Sequence, residues 1–234
     1  AYSITITDNS VAAAALNTLD GKTSVAINAS NITTLTGAAA DLNTAYTANG
    51  NGSISGLGNE AATLSDTSLA VSVLNILDGR TSGSIDAGTI NTLTGTAADL
   101  NTAYTSGGIS NLGNEAVTLS DTTLAVSVLN ALDGRTSGTI NANSINTLTG
   151  AAADLNTAYT ANANGSISGL NNEAVTLSDT SLAVSVLNDL DGNTSGTINA
   201  NSINTLSGTA ADLITAYDSG GINGLGNEAV NVNS

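Results

Sequence analysis

Sixteen of the nineteen acidic residues fall into four sets that recur along the chain, and these are the positions at which chemistry could be placed. One set, Asp20, Asp78, Asp133 and Asp191, stands before a glycine at the end of an apolar run. A lone carboxylate there can close an Asx-type turn or, with other oxygens nearby, contribute to a calcium site. Asn75 and Thr81 would be the further oxygens around Asp78, and the same pattern holds at Asp20, Asp133 and Asp191. The fragment "NDLDGN" (188–193) is not an EF-hand loop, because Leu187 and Ile198 would fill its first and twelfth positions. The other sets have structural readings. Asp8, Asp66, Asp121 and Asp179 precede a predicted helix as N-cap candidates. Asp99 follows Thr96 at capping-box spacing, although Ala38 and Ala151 replace that threonine ahead of Asp41 and Asp154; Asp212 completes the set. Glu60, Glu115, Glu173 and Glu228 lie in segments such as "GLGNEA" (56–61), which imitate a dinucleotide fingerprint. They precede a strand rather than opening a helix, so they read as turns.

Composition removes most other chemistry. The chain of 234 residues has no Cys, His, Pro, Met, Trp or Phe. The Ser-His and Cys-His nucleophile pairs and the usual zinc ligands are therefore missing. Nineteen acids face three bases, Lys22, Arg80 and Arg135, for a net charge of −16. Phosphate backbones and anionic membrane surfaces are repelled by such a charge, so nucleic acid is not an expected partner. The longest apolar run, "VAAAAL" (11–16), is too short for membrane insertion.

The elements that must position these residues are set by an internal repeat. A Thr-apolar-Thr/Ser tripeptide starts at Thr5, Thr34, Thr63, Thr92, Thr118, Thr147, Thr176 and Thr205, in steps of 29, 29, 29, 26, 29, 29 and 29 residues. The shorter step arises where "YTSGGI" (104–109) replaces "YTANGNGSI" (46–54). Residues 4–116 and 117–229 form two superrepeats within a single repeat array spanning 1–234. Periods of this length mark solenoids. Each tripeptide predicts a strand with its Leu inward (Leu35, Leu64, Leu93, Leu119, Leu148, Leu177, Leu206, with Ile6 first), and these residues are expected to line one parallel sheet. In "SDTSLAVSVLNILDG" (65–79) a helix would set Ala70, Val73, Leu74 and Leu77 on one stripe. The position holding Thr18, Ile76, Ala131 and Asp189 then faces solvent. The alternate coils carry a shorter helix with Leu100, Ala103 and Tyr104 inward, and glycine ends each helix. The expected fold is an α/β, right-handed solenoid of about eight coils of 26–29 residues, each strand–helix–strand. Outward Thr-x-Thr pairs also match the pattern of ice-binding solenoids, but serine at half of the second positions favours capping and hydroxyl ladders.

The units "NEAVTLSDTTLAVSVLNALDGRTSGTINANSINTLTG" (114–150) and "AADLNTAYTSGGISNLGNEAVTLSDT" (97–122) resemble the tandem repeats of giant cell-surface proteins of marine picocyanobacteria, the swimming-motility-associated type among them. The resemblance covers the whole chain. It implies a cell-surface or extracellular location and a segment of a longer polypeptide, and it carries no catalytic residue across. Solenoids need polar caps, whereas this chain begins on "SITITDNS" and stops in "AVNVNS", which agrees with a segment. The expected function is a non-enzymatic structural or spacer segment that extends or displays other domains, with no cofactor. The alternative is a calcium-dependent adhesive or ligand-binding array using Asp20, Asp78, Asp133 and Asp191. Expected partners are neighbouring repeats of the same polypeptide and, through unpaired sheet edges, end-to-end association with further copies.

Overall fold

The computed structural model describes residues 3–233. Its chain divides into two compact units, 1–116 and 117–234, at the seam between the two superrepeats. The first unit runs β1 (Ile4–Thr5), β2 (Ser10–Ala12), α1 (Ala13–Asp20), β3 (Ile27–Asn28), β4 (Thr34–Gly37), α2 (Ala39–Asn51) and β5 (Ile54–Ser55). It continues through β6 (Ala61–Leu64), β7 (Ser68–Ala70), α3 (Val71–Asp78), β8 (Ile85–Asp86), β9 (Thr92–Gly95), α4 (Ala97–Thr105) and β10 (Ile109–Ser110). The second repeats this order as β11 (Ala116–Leu119), β12 (Thr123–Ala125), α5 (Val126–Asp133), β13 (Ile140–Asn141), β14 (Thr147–Gly150), α6 (Ala152–Asn164) and β15 (Ile167–Ser168). There follow β16 (Ala174–Leu177), β17 (Ser181–Ala183), α7 (Val184–Asn193), β18 (Ile198–Asn199), β19 (Thr205–Thr209), α8 (Ala210–Asp218), β20 (Ile222–Asn223) and β21 (Ala229–Asn233).

Strands pair in parallel, each with the second strand along, so that one helix is crossed per turn. This is the α/β solenoid of strand–helix–strand coils that the repeat predicts. The strands are nevertheless distributed over three sheets per unit instead of one. Unit 1 holds β1-β3-β5, β2-β4-β6-β8-β10 and the pair β7-β9; unit 2 holds β11-β13-β15, β12-β14-β16-β18-β20 and β17-β19-β21.

Register explains the difference. Along the five-stranded sheet of unit 1, Val11, Leu35, Ala62, Ile85 and Ile109 are successive partners, at steps of 24, 27, 23 and 24 residues. Leu64, expected beside Leu35, lies opposite Gly37, and Leu93 belongs to another sheet. The sequence period counts from helix to helix, whereas the hydrogen-bond ladder closes one turn of backbone. The sheet consequently begins with strands that enter helices (β2, β4) and ends with strands that leave them (β8, β10). The seven leucines are buried all the same. The Thr ladder expected at the longer step does not form: the row through Thr36 reads Ala12, Thr36, Thr63, Asp86, Ser110.

Helix lengths are also the reverse of those expected, except in the last pair, where α7 has 10 residues and α8 has 9. Ser68–Ala70 pairs with β9 as a strand, so α3 starts only at Val71 and has 8 residues. Its buried stripe is Val71, Leu74 and Leu77, with Ala70 outside the helix. The off-stripe residues Thr18, Ile76, Ala131 and Asp189 are exposed, as expected. In α2 and α6 the three-residue insertion extends the helix to 13 residues, ending at Gly52 and Gly165 in the left-handed conformation (φ 83° and 87°). Without the insertion α4 and α8 have 9 residues and end at Ser106 and Ser219, not glycine.

Candidate functional site

The repeated polar residues sit on the turns joining one coil to the next. Asp78, last residue of α3, accepts a 2.7 Å hydrogen bond on Oδ2 from the Ser106 hydroxyl at the end of α4. Asp191 takes the same bond from Ser219 (2.7 Å), and Asp20 one from Ser53 (3.1 Å). Asp133 has no such bond among the contacts described, and its Oδ1 is enclosed without a partner. The Asp78 carboxylate packs so closely on the facing turn that a Cβ at Gly108 would lie 2.3 Å from its Oδ1. Residues Asp20, Asp78, Asp133 and Asp191 are thus half-buried helix-end groups facing the following coil.

Calcium needs six to eight oxygens around it. The two expected co-ligands of Asp78 point elsewhere. The Asn75 side-chain amide donates to the Asp99 carbonyl (3.0 Å), and the Thr81 hydroxyl donates to the Glu60 carbonyl (3.0 Å). Among the described residues no three His, Cys, Asp or Glu side chains come together as a metal-binding group. Beside Asp20 lies a groove of about 360 Å³, lined by Asp20, Asn43, Thr47, Asn51 and Ser53 among others. It contains one carboxylate.

Two of the cap candidates, Asp66 and Asp179, do cap, but not where sequence places them. Helices α3, α5 and α7 begin after Ala70, Ala125 and Ala183, with no side-chain cap. Asp66 Oδ2 instead accepts from the backbone N–H of Ala39, the first residue of α2 in the preceding coil (2.8 Å), and Asp179 does the same for Ala152 of α6 (2.8 Å). Those two helices have Ala38 and Ala151 at the N-cap and no local cap of their own. Where threonine is present the capping box forms as expected, with Thr96 to Asp99 N–H and Thr209 to Asp212 N–H both 3.1 Å. An anion at a helix N-terminus is favourable in either arrangement.

Two sets of contacts were not anticipated. Asn17, Asn75, Asn130 and Asn188 each donate a side-chain N–H to the carbonyl of Asp41, Asp99, Asp154 or Asp212 in the next helix, at 2.9–3.0 Å. Asn43 and Asn156 extend this ladder to the carbonyls of Val73 and Val186 (3.1 and 3.0 Å). The signal was the invariable Asn 24 residues before each first-turn Asp. The second set is the Glu register. Glu60, Glu115 and Glu173 are at most 2 % exposed, and each accepts from the hydroxyl of the preceding tyrosine, Tyr46, Tyr104 or Tyr159. Backbone N–H groups of Gly58, Gly113 and Asn171 add further bonds to the three carboxylates. Tyr217 and Glu228 repeat the pair at the last coil, more exposed.

Electrostatics follow from burial. Burial, reinforced by the Glu60 or Glu173 charge, outweighs the lowering bonds with Thr81 and Thr194 and pushes the Tyr46 and Tyr159 hydroxyls up to about 12. At Tyr217 the bond to Glu228 comes first, then burial, again to about 12. Burial works against Glu228, but the Tyr217 hydroxyl and backbone N–H groups, those of Gly226 and Asn227 among them, hold its carboxyl below the usual range. In each pair the tyrosine hydroxyl donates and the carboxylate accepts. No helix among the described residues is long and apolar enough to cross a membrane. Compared with known protein families, characterised proteins and solved structures, the chain matches none.

Proposed function

We propose that this chain is a non-enzymatic structural segment, a spacer or display element of a cell-surface protein. The observation that supports it best is the direction of the repeated polar side chains. Those that could have formed a reactive or metal-binding group bond instead to the adjoining coil: Asp78 to Ser106, Asp66 to Ala39, Asn75 to Asp99. Repeated units that contact only their neighbours extend a chain in one direction at roughly constant stability per coil, which suits a spacer. The exterior is acidic, with net charge −16, and this favours solubility and resists association with anionic surfaces. The cell-surface location rests on the sequence resemblance.

Surface labelling tests the location. An antibody raised against this chain should stain intact cells of the organism that makes it, and brief protease treatment of those cells should remove the signal. Signal found only after lysis, protected from protease, would contradict the proposal. The groove at Asp20 keeps one alternative in view, a calcium-dependent array, which the melting experiment closing the Discussion addresses.

A further inference from the structure

The basic residues of the chain, Lys22, Arg80 and Arg135, all stand at one place in the repeat, two residues after the Asp of the Asp-Gly pair. The fourth copy has Asn193 there. Four residues earlier the copies read Thr18, Ile76, Ala131 and Asp189. Compared with α3, the end of α7 has therefore lost a cation and gained an anion. Asp189 and Asn193 both lie within α7, and residues four apart are neighbours on a helix surface.

In unit 1 the basic residue has a defined seat. Arg80 Nη1 donates to the Asn43 carbonyl of α2 (3.0 Å) and to the Thr47 hydroxyl one turn further on. Thr47 in turn donates to the Asn43 carbonyl (2.7 Å). The same two acceptors recur in α6, where the Thr160 hydroxyl donates to the Asn156 carbonyl (2.8 Å). Asn193 donates instead to the side-chain oxygen of Asn156 (2.9 Å). A groove of about 410 Å³ runs beside it, lined by Asn156, Thr160, Asn188, Asp189, Gly192 and Asn193.

The lining selects the ligand. A guanidinium is planar, permanently charged and weakly hydrated, and its several N–H donors can meet a carbonyl, a hydroxyl and a carboxylate together. Asn156, Thr160 and the exposed Asp189 supply those three acceptors. The last residues of α7, Gly192 and Asn193, add the negative pole of the helix dipole. A divalent cation would need more oxygens than one carboxylate brings. Arg135 bonds its own helix through Nε to the Ala131 carbonyl (3.3 Å), and Arg80 is engaged with α2, so a partner protein suits the groove better than a second copy.

We propose that the groove between α6 and α7 takes an arginine side chain exposed on another protein, seated as Arg80 is seated on α2. A net charge of −16 draws basic proteins to the whole surface; the groove makes that attraction specific.

The probe is a short peptide with one arginine between uncharged residues, beside matched peptides carrying lysine or citrulline, titrated into the isotope-labelled chain. Nuclear magnetic resonance should show the amide signals of Asn156, Thr160, Asn188, Asp189 and Gly192 shifting with the arginine peptide, less with lysine and not with citrulline. The equivalent amides of Asn43, Thr47, Asn75, Ile76 and Gly79 should stay in place. Asn193→Arg should weaken binding by about tenfold or more, the worth of one charge-assisted hydrogen bond. Ile76→Asp/Arg80→Asn should create a second site between α2 and α3. Every substitution copies a residue that the repeat already carries at that place, so the fold accommodates them all. Arginine and citrulline peptides acting alike, shifts spread over the aspartates of both units, or an unchanged affinity in Asn193→Arg would each overturn the proposal. So would an absence of shifts in the groove at the highest peptide concentration.

Discussion

Two coil junctions of unit 1 solve one problem with different lengths of chain. Between α1 and β5 the chain has a 13-residue helix, ends it at a left-handed Gly52, and offers Ser53 to Asp20. Between α3 and β10 the helix has 9 residues, ends at Ser106, and Ser106 itself reaches Asp78. The serine stands one residue before Ile54 in the first junction and three before Ile109 in the second. Both also keep the Asn-to-carbonyl bond and the Tyr–Glu pair. Helix length and turn type vary between these two junctions, but the Asp–Ser, Asn-to-carbonyl and Tyr–Glu bonds are kept at both.

The strongest way to break the comparison is to block the close approach itself. Gly83→Val puts a branched side chain on the Glu60 carbonyl and should destabilise unit 1 by about 3 kcal/mol or more, the upper range for overpacking. Gly107, with nothing within 4 Å of a Cβ, should accept alanine with little effect. Urea melts of the two variants measure the difference.

Removing a shared bond should cost less, and similarly at both junctions. Asn17→Ala and Asn75→Ala each remove a side-chain bond to a first-turn carbonyl that keeps its helical donor, and about 0.5–1.5 kcal/mol is expected. Asp20→Ala and Asp78→Ala should fall at or below the low end of that range, because these carboxylates are half-buried and their serines can turn to water. If Asp78→Ala proved costlier than Asn75→Ala, the order of importance assigned to these contacts would be reversed.

Alkaline pH probes the buried Tyr–Glu pairs. Tyr46 and Tyr159 bind their protons more tightly folded, at about 12, than unfolded, near 10. Their contribution is therefore fully present below pH 10 and is lost as pH rises through the folded value. Melting temperature should decline between about pH 10 and 12, less steeply in Tyr46→Phe/Tyr159→Phe, although that variant starts lower. A decline already complete below pH 10 would mean that other groups govern it.

Salt should have the smallest effect. With three bases against nineteen acids, self-repulsion remains uncompensated, and screening between low salt and about 1 M should raise the melting temperature toward a plateau. A flat profile would indicate that the aspartates are already compensated.

Much of this was legible in the sequence, because helix periodicity, strand alternation and a repeat of fixed length are local signals. Inward Leu35 and Leu93, outward Ile76 and the Thr96–Asp99 box all follow from neighbours within one turn. Three features were not. The stacking step depends on how much backbone one turn consumes, so Leu64 came opposite Gly37 and the single sheet became three. The cap of α2 comes from Asp66, 27 residues away from Ala39, and spacing inside one coil cannot reveal a partner in the next. Asn75 and Thr81, expected around Asp78, bond across coil boundaries to the Asp99 and Glu60 carbonyls for the same reason.

Calcium discriminates most directly between Asp20, Asp78, Asp133 and Asp191 as junction groups and the same residues as metal ligands. Scanning calorimetry would compare the wild type with the variant carrying asparagine at all four positions, in chelator, in calcium and in magnesium. As junction groups, the four aspartates should leave the variant melting lower by the same amount in all three media, with calcium and magnesium shifting the wild type equally through ionic strength alone. A rise in wild-type melting temperature specific to calcium, reversed by chelator and absent from the variant, would contradict it.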